Sequence, residues 1–254
     1  MTNEHIAEIL DKAAINAKPV AQMASTENFS LEDAYKIQQI SINRRLERGE
    51  KITGFKLGFT SKAKMEQMNV HDLIWGFLTD EMELVPNEKI NLNRWIHPRA
   101  EPEIAFRVSQ DFPSRELSLS ELPEYLDKMA VAIEIIDSRY ENFKFSLEDV
   151  VADNCSSTGY VIGDWKDLET EISDLDIQLD IDNETIQQGK TAAILENPVQ
   201  SVVELSRLAS DVNIAIKEGY VILAGAATAA EYLKPGQEIE AEVEKLGSVS
   251  FQTK

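Results

Sequence analysis

The sequence predicts an α+β protein in which a helical N-terminal part precedes a mixed, mostly antiparallel β core. Apolar residues recur at helical spacing up to about Met82, whereas short apolar segments separated by turn residues dominate from about Val85 onward. Few helical segments interrupt this second region, so alternating βαβ units are not expected. We therefore divide the chain into a helical part with short strands, residues 1–84, and a β-rich domain, residues 85–254.

Helical patterns begin close to the N-terminus. Apolar residues that recur with a period of about 3.6 mark the first predicted helix, namely Ile6, Ile9, Leu10 and Ala13. Ser30 followed by Asp33 resembles a capping box, with Asp in place of the usual Glu or Gln, and predicts a helix that continues to Ile42. A strand over residues 52–59 and a short helix over residues 62–68 follow.

The β-rich part contains short segments of strand-forming residues. The predicted strands cover residues 101–108, 131–138, 160–163, 175–181, 220–224, 239–246 and 249–252. Turn residues separate two pairs of them, at Asp182-Asn183 and at Pro235-Gly236. The clearest helix here runs over residues 198–209, with Asn197 as its N-cap and proline in its first turn.

Composition narrows the class of protein. The 254 residues include 25 Lys and Arg against 45 Asp and Glu, which gives a formal net charge of −20. That field repels nucleic acids and anionic membrane surfaces, so we expect neither as a partner. No apolar run approaches the ~20 residues that span a bilayer, and the first residues lack the apolar segment of a signal peptide. The single cysteine, Cys155, has no disulfide partner, which fits a reducing cytoplasm.

Two glutamates share one predicted strand. Glu101 and Glu103 are alternate residues, so their side chains point to the same face at a spacing of roughly 6.6 Å. Two carboxylates at this spacing repel each other unless a cation lies between them. The pair is typical either of a solvent-exposed strand face or of a metal site, and both interpretations remain open at this point.

A third glutamate lies within an almost continuous apolar strand over residues 129–136. Strands that are apolar on both faces are usually buried, and a buried ionised carboxylate costs several kcal/mol unless it is paired or binds a metal. Glu134 therefore either forms a salt bridge, with Arg139 as a candidate, or joins Glu101 and Glu103 as an oxygen ligand. Oxygen-only sites favour Mg²⁺, Mn²⁺ or Ca²⁺ over zinc or copper.

One lysine, Lys56, interrupts the apolar and glycine-containing segment 54–60. It is either an edge-strand lysine whose ammonium extends to solvent, or a cation beside the metal that binds a substrate carboxylate. The polar segment 153–157 is either a simple turn or a set of hydrogen-bond donors in the pocket. Within it, Cys155 lacks a histidine pattern and is interpreted as a small buried residue.

Longer motifs run along almost the whole chain, at residues 54–61, 64–68, 76–80, 97–103, 134–139, 151–154 and 246–249. Together they resemble the 2-hydroxypentadienoate hydratase and 4-oxalocrotonate decarboxylase family of the fumarylacetoacetate hydrolase superfamily. The resemblance implies a β-roll core with helical additions, homo-oligomers, and a Mg²⁺ or Mn²⁺ ion held by residues matching Glu101, Glu103 and Glu134. It also implies that Lys56 lies in the active site. Including this lysine, the expected substrate-binding residues are Lys56, Leu57, Ile74 and Ser156.

Two segments indicate which branch of the family the chain resembles. Hydratases carry an acidic residue two positions before the glycine that matches Gly76, and here that position is Ile74. Residues 137–145 also resemble the decarboxylase branch. We therefore expect metal-dependent decarboxylation of 2-oxohex-3-enedioate, a step of aromatic meta-cleavage catabolism, in a β-rich catalytic domain.

Alternatives to the decarboxylase interpretation are a hydratase that adds water to 2-hydroxypenta-2,4-dienoate, and a non-catalytic subunit that supports a partner enzyme. Hydrolysis of an acylpyruvate is disfavoured because the N-terminal part contains no His-Glu pair suited to activating water. Decarboxylases of this family are expected to associate with the hydratase that consumes their product. The family pattern is also interrupted by Pro102, which lies between the two glutamates and is expected to affect strand pairing.

Overall fold

The computed structural model describes residues 1–61, 65, 72–168 and 171–254. The helices with at least one α-helical turn are α1 (Asn3–Asn16), α2 (Ala24–Glu27), α3 (Leu31–Glu47), α4 (Leu122–Tyr125), α5 (Leu147–Ala152) and α6 (Val199–Asp211). The short helix expected at 62–68 lies, apart from residue 65, outside the described residues. Within those residues, no helix has the length and apolar content needed to cross a membrane.

The capping box predicted at Ser30 is confirmed, whereas the N-cap predicted at Asn197 is displaced by one residue. In α3, the Ser30 side chain accepts from the Asp33 backbone, and the Asp33 carboxylate accepts from the Ser30 backbone, which completes the capping box. Helix α6 begins with Val199, whose N–H donates to the Asn197 side chain at 3.0 Å. The N-cap is Pro198 rather than the expected Asn197, because the helix begins one residue later than predicted.

The strands are more numerous than the sequence predicts. They are β1 (Ile52–Gly58), β2 (Ile74–Thr79), β3 (Glu83–Leu84), β4 (Lys89–Ile90), β5 (Arg99–Val108), β6 (Leu126–Ile136), β7 (Ser157–Ile162), β8 (Lys166–Asp167), β9 (Asp176–Ile181), β10 (Glu184–Lys190), β11 (Val221–Leu223), β12 (Glu231–Tyr232), β13 (Glu238–Val243) and β14 (Gly247–Thr253). Two long strands were missed, β2 and β10. Strand β2 is buried throughout, so it lacks polar alternation, and β10 is a polar, mostly exposed edge strand.

Two sheets form the β core. The larger sheet has the order β2-β1-β11-β5-β6-β7-β3, with β12 paired to β5 and β8 paired to β6. The smaller sheet has the order β10-β9-β13-β14-β4. The pairs β1–β11, β3–β7 and β4–β14 are parallel, and the other pairs are antiparallel. The expected mixed, mostly antiparallel core with a helical N-terminal part is thus confirmed.

The two faces of β5 have different surroundings. Ile104 and Phe106 contribute to the main apolar core, which also contains Ile177, Ile239 and Phe251 of the smaller sheet. Residues of opposite parity on β5 point away from this core, because side chains alternate along a strand. On this second face lie Glu101 and Glu103, and helices α1, α3 and α5 pack together nearby in a separate apolar cluster.

Pro102 does not interrupt β5. The strand pairs with β6 through Pro102, which lies opposite Ile133. On the other edge of β5, β11 pairs with residues 105–107 and β12 pairs with residues 99–100. The proline therefore lies where, among the described strands, β5 has no neighbour on that edge, and there a missing N–H is tolerated. The division at residues 84 and 85 stays a prediction, although β1 and β2 share the larger sheet with β5 and β6.

Candidate metal centre

Strand register brings the three glutamates together. Glu101 of β5 lies directly opposite Glu134 of β6, and Glu103 lies two residues further along β5, opposite Ala132. Directly opposed residues have Cβ atoms about 5 Å apart, so three side chains on this face converge. One carboxylate oxygen from each glutamate lies within 4.8 Å of the other two.

The glutamates are buried, which excludes the solvent-exposed interpretation of the Glu-x-Glu pair. Their exposed fractions are 9% for Glu101, 1% for Glu103 and 0% for Glu134. Glu103 Oε2 accepts a hydrogen bond of 2.8 Å from the Gly225 backbone N–H. In the described part of the chain, Glu103 Oε1 and Glu134 Oε1 have no hydrogen-bond donor. Buried carboxylate oxygens without donors are costly unless a cation binds them.

The position whose backbone N–H donates a hydrogen bond to Glu103 must be occupied by glycine. Gly225 has a φ of +102°, and a Cβ atom added there would lie 2.3 Å from Thr60 Oγ1. Any side chain would therefore both strain the backbone and clash with Thr60. The turn after β11 thus places a backbone N–H against a buried carboxylate.

Lys56 completes the cluster from a central strand. Strand β1 lies between β2 and β11, and Lys56 is only 4% exposed, so the interpretation as a solvent-reaching edge lysine is wrong. Lys56 Nζ lies 2.9 Å from Glu134 Oε2. The alternative salt bridge between Glu134 and Arg139 is also wrong, because Arg139 binds Asp153 instead.

Burial and mutual repulsion shift the ionisation of these groups. Burial raises the pKa of Glu103 well above its ordinary value, the negative charge of Glu134 adds to the rise, and the Gly225 N–H opposes it. Burial likewise raises the pKa of Glu134, and Lys56 opposes that shift. For Lys56 burial alone would lower the pKa, but attraction to Glu134 and its neighbours leaves it raised. The cluster thus favours a bound cation, which would stabilise the ionised carboxylates.

A cavity of about 270 Å³ opens beside the cluster. All four residues expected to bind substrate line it, namely Lys56, Leu57, Ile74 and Ser156, together with Glu101. Its remaining wall is largely apolar and includes Phe143, Phe145 and Val150. The individual roles of these residues stay predictions, but their common location is what a substrate pocket next to a metal requires.

Ser156 lies in a left-handed turn at the floor of the cavity. Asn154, Cys155 and Ser156 have φ values of 49°, 51° and 60°, which are unfavourable for residues with side chains. Asn154 holds the turn against β2, since its side chain donates to Phe77 O at 2.9 Å and accepts from Phe77 N at 2.8 Å. Ser156 Oγ is buried and has no hydrogen-bond partner among the described residues. The polar segment 153–157 is therefore both a turn and a part of the pocket.

Cys155 is buried, as expected, and its thiol donates to Trp75 O at 3.1 Å. Burial raises the pKa of this thiol, so it is not an activated nucleophile. Arg99 is a cavity residue that sequence reasoning missed. The spacing in the sequence could have identified Arg99, because this residue precedes Glu101 by two positions and therefore shares its face of β5.

The residues present fit a hard divalent cation. Three buried carboxylates supply oxygen ligands, and the donor-free oxygens of Glu103 and Glu134 lie on the same face. Because the group contains no thiolate or imidazole, it matches the ligand preference of Mg²⁺ or Mn²⁺. A further structural requirement, an open side for substrate, is met by the cavity next to Glu101.

Comparison with known proteins agrees with this geometry. The family model "Fumarylacetoacetate (FAA) hydrolase C-terminal" matches residues 51–253. A 4-oxalocrotonate decarboxylase of Pseudomonas sp is 44% identical, covering 100% of this chain and 98% of the relative. A 2-keto-4-pentenoate hydratase of Paraburkholderia xenovorans is 32% identical, with 97% and 93% covered.

Among solved structures, the 4-oxalocrotonate decarboxylase from Pseudomonas putida G7 complexed with magnesium and adipate superposes with a TM-score of 0.93. That enzyme is 34% identical to this chain over 99% of this chain and 97% of its own. The same enzyme complexed with calcium and acetate gives a TM-score of 0.92. Divalent metals are thus bound by a protein of very similar fold.

Proposed function

The chain belongs to the fumarylacetoacetate hydrolase family, and we propose that it is a lyase that converts 2-oxohex-3-enedioate to 2-hydroxypenta-2,4-dienoate and CO₂. The observation that carries this proposal is the group of three buried glutamates beside an apolar cavity, in which Glu103 and Glu134 each have an oxygen with no donor among the described residues. The greater identity to a decarboxylase than to a hydratase supports the same reaction. The reaction suits a role in aromatic meta-cleavage catabolism.

We propose that Glu101, Glu103 and Glu134 hold the metal, Mg²⁺ or Mn²⁺. When bound, such an ion supplies a Lewis acid for the C1 carboxylate and C2 ketone of the substrate. In the reaction the C5–C6 bond breaks, and its electron pair passes through the C3=C4 double bond to the C2 oxygen, which then takes up a proton from solvent to form the 2-hydroxyl group of the product. The active site must therefore stabilise negative charge at C2 while it releases neutral CO₂ at C6.

Lys56 is proposed to supply fixed positive charge at the C1–C2 end of the substrate, where negative charge develops. Its ammonium is buried and held by Glu134 at 2.9 Å, so it is oriented before the substrate arrives. From this position it binds the C1 carboxylate or stabilises the charge that develops on the C2 oxygen. Ser156, whose buried hydroxyl has no hydrogen-bond partner in the part of the chain that the structure describes, is proposed to hydrogen-bond the same end of the substrate.

The proposed reaction also requires that water is excluded from the site, and apolar side chains provide this. Ile74 is 4% exposed and lies on the cavity wall together with Leu57. A carboxylate that leaves as CO₂ loses its charge, so an apolar wall favours the product over the charged substrate. Ile74 also leaves no acidic group at the position where hydratases of the resembled family carry one.

Purified protein incubated with Mg²⁺ and 2-oxohex-3-enedioate tests the proposal. We expect metal-dependent release of CO₂ in equal amount to the substrate consumed, and loss of the release when the metal is chelated. Consumption of 2-hydroxypenta-2,4-dienoate without any release of CO₂ from 2-oxohex-3-enedioate would identify a hydratase instead. Absence of both activities would favour a non-catalytic role.

We also propose that the enzyme is a cytoplasmic homo-oligomer that associates with a hydratase. The product of the proposed reaction is a reactive dienol, and a nearby hydratase would consume it before it rearranges. The lone buried cysteine suits a reducing compartment. Light scattering of the purified chain tests the oligomer, and co-purification with a 2-hydroxypentadienoate hydratase tests the complex.

A further inference from the structure

We infer that Arg99 binds the carboxylate at the far end of the substrate and so selects dicarboxylates over monocarboxylates. This inference rests on the proposed function, because it concerns the second carboxylate of the same substrate. Arg99 lines the cavity together with Lys56 and Glu101. A guanidinium is well suited to a carboxylate, because its planar set of donors matches the two oxygens.

The guanidinium of Arg99 is held in place by aromatic rings rather than by an acid. Its central carbon lies 3.9 Å from the ring centre of Phe143 and 4.0 Å from that of Tyr232. One terminal nitrogen donates to Tyr232 Oη at 2.6 Å. No carboxylate pairs with Arg99 among the described residues, and its buried Nε has no hydrogen-bond acceptor there. The positive charge is therefore oriented but not neutralised by an ion pair.

Other arginines in the fold have different surroundings. Arg139 binds Asp153, Arg107 binds Asp127, and Arg45 binds Glu50. These three arginines have acidic partners within the chain, so they have no need of a ligand. Arg99 combines a cavity position with donors that are still available, which is the arrangement expected for recognition of an anion.

The spacing along β5 agrees with the length of the substrate. Arg99, Glu101 and Glu103 are alternate residues on one face, so successive side chains leave the strand roughly 6.6 Å apart. The two carboxyl carbons of an extended six-carbon diacid are separated by roughly 6 Å, from five bonds of about 1.5 Å. One carboxylate near the glutamate cluster thus places the other within reach of Arg99.

Binding at this end has a consequence for the kinetics. The C6 carboxylate is charged in the bound substrate and becomes neutral CO₂ as the C5–C6 bond breaks. An interaction of Arg99 with that carboxylate is therefore stronger in the ground state than in the transition state. Its removal is expected to raise KM by about tenfold or more, while kcat stays the same or increases.

The experiment compares two saturated analogues, 2-oxoadipate and 2-oxohexanoate, which differ in the distal carboxylate. Without the C3=C4 double bond, 2-oxoadipate has no path for electrons from C5 to the C2 oxygen, so binding is measured without turnover. Calorimetry in Mg²⁺ is expected to give at least about tenfold tighter binding of the diacid to the native protein. In Arg99→Gln this preference is expected to fall to about one, with unchanged affinity for 2-oxohexanoate.

Arg99→Lys keeps the positive charge but loses the planar pair of guanidinium donors, so an intermediate preference for the diacid over the monoacid is expected. Arg107→Gln, on the same strand but paired with Asp127, is the control and should keep the native preference. Equal weakening of both analogues by Arg99→Gln, or no weakening of either, would overturn the inference, as would a fall in kcat at constant KM. If the native protein binds neither analogue, the proposed function itself fails, and that result is distinct from equal binding of both.

Discussion

The protein contains two kinds of buried acidic group, and they differ in how their oxygens are satisfied. In one region, both carboxylate oxygens of Asp153 accept hydrogen bonds from Arg139, and both oxygens of Asp137 accept from the backbone of Ile96 and His97. In the other, Glu103 and Glu134 each keep an oxygen with no donor in the described chain. The two regions lie close together, yet only the second has the properties of a metal site.

A structural carboxylate is distinguished from a metal ligand by the hydrogen bonds that its oxygens accept. Burial alone does not separate them, because Asp153 at 2% and Glu103 at 1% are equally inaccessible. Burial raises the pKa of Asp153 to about 6, although Arg139 opposes the rise. The two regions differ in the hydrogen-bond donors that reach the carboxylate oxygens. A buried carboxylate whose two oxygens both accept hydrogen bonds stabilises the local fold, whereas one that has an oxygen without a donor requires a cation.

The largest expected effect comes from changing one of the glutamates. Glu103→Gln keeps the shape of the side chain but removes one charged ligand, so Mg²⁺-dependent CO₂ release should fall by about a thousandfold. Calorimetric titration with Mg²⁺ should show weaker binding in the same variant. Glu238→Gln, at an exposed position of β13, is the matched control. If Glu103→Gln kept native activity and native Mg²⁺ affinity, the proposal that Glu103 differs from Asp153 by binding the metal would be contradicted.

A change in the other region should affect stability instead. Asp153→Asn leaves the buried guanidinium of Arg139 without its charged partner, which should lower the free energy of unfolding by about 3 kcal/mol. Urea denaturation measures this loss. Mg²⁺ affinity at a temperature where the variant is folded should change little. A large loss of Mg²⁺ affinity with normal stability would mean that Asp153 belongs to the metal site.

Metal binding should stabilise the fold in a manner that depends on pH. At a free Mg²⁺ concentration of one hundred times Kd, the stabilisation should reach about 2.7 kcal/mol. Folding raises the pKa of Glu103 and Glu134 above the ordinary 4.5, so the metal-free protein is destabilised at neutral pH and recovers as pH falls through the raised values. Mg²⁺ requires the ionised forms, so its stabilising effect should decrease over the same range.

Thermal denaturation with and without Mg²⁺, from neutral pH down toward 4.5, measures this dependence. A shift in Tm that stays constant across the range would contradict the raised pKa values. The same measurement on Glu103→Gln serves as the control, because that variant should respond less to Mg²⁺ at every pH.

The smallest effect is expected at a pair exposed to water. Arg107 and Asp127 form an ion pair whose side chains are 37% and 39% exposed. Because solvent screens such a pair, Arg107→Gln should change the free energy of unfolding by less than about 1 kcal/mol. Urea denaturation of Arg107→Gln and of Asp153→Asn, measured side by side, tests whether burial makes the Arg139–Asp153 pair contribute more to the free energy of unfolding. Equal losses in both variants would contradict that explanation.

The sequence predicted much of the site because local patterns are informative there. Alternation along a strand placed Glu101 and Glu103 on one face, and the apolar surroundings of Glu134 indicated a buried charge. Capping signals located the starts of α3 and α6 to within one residue, whereas α3 continues five residues beyond the predicted Ile42. Strands β2 and β10 were missed because one is apolar on both faces and the other is polar and exposed.

The amino-acid pattern identified the chemically unusual residues, which are acids and a lysine within apolar strands. Only the tertiary structure decided their partners. In the sheet order, Lys56 on β1 and Glu134 on β6 are three strands apart, and their side chains nevertheless approach to 2.9 Å. Likewise, Arg99 met Phe143 and Tyr232, and Glu103 met Gly225, through distant parts of the chain. Periodicity reports the face on which a side chain lies, whereas long-range strand pairing and packing determine what that side chain contacts.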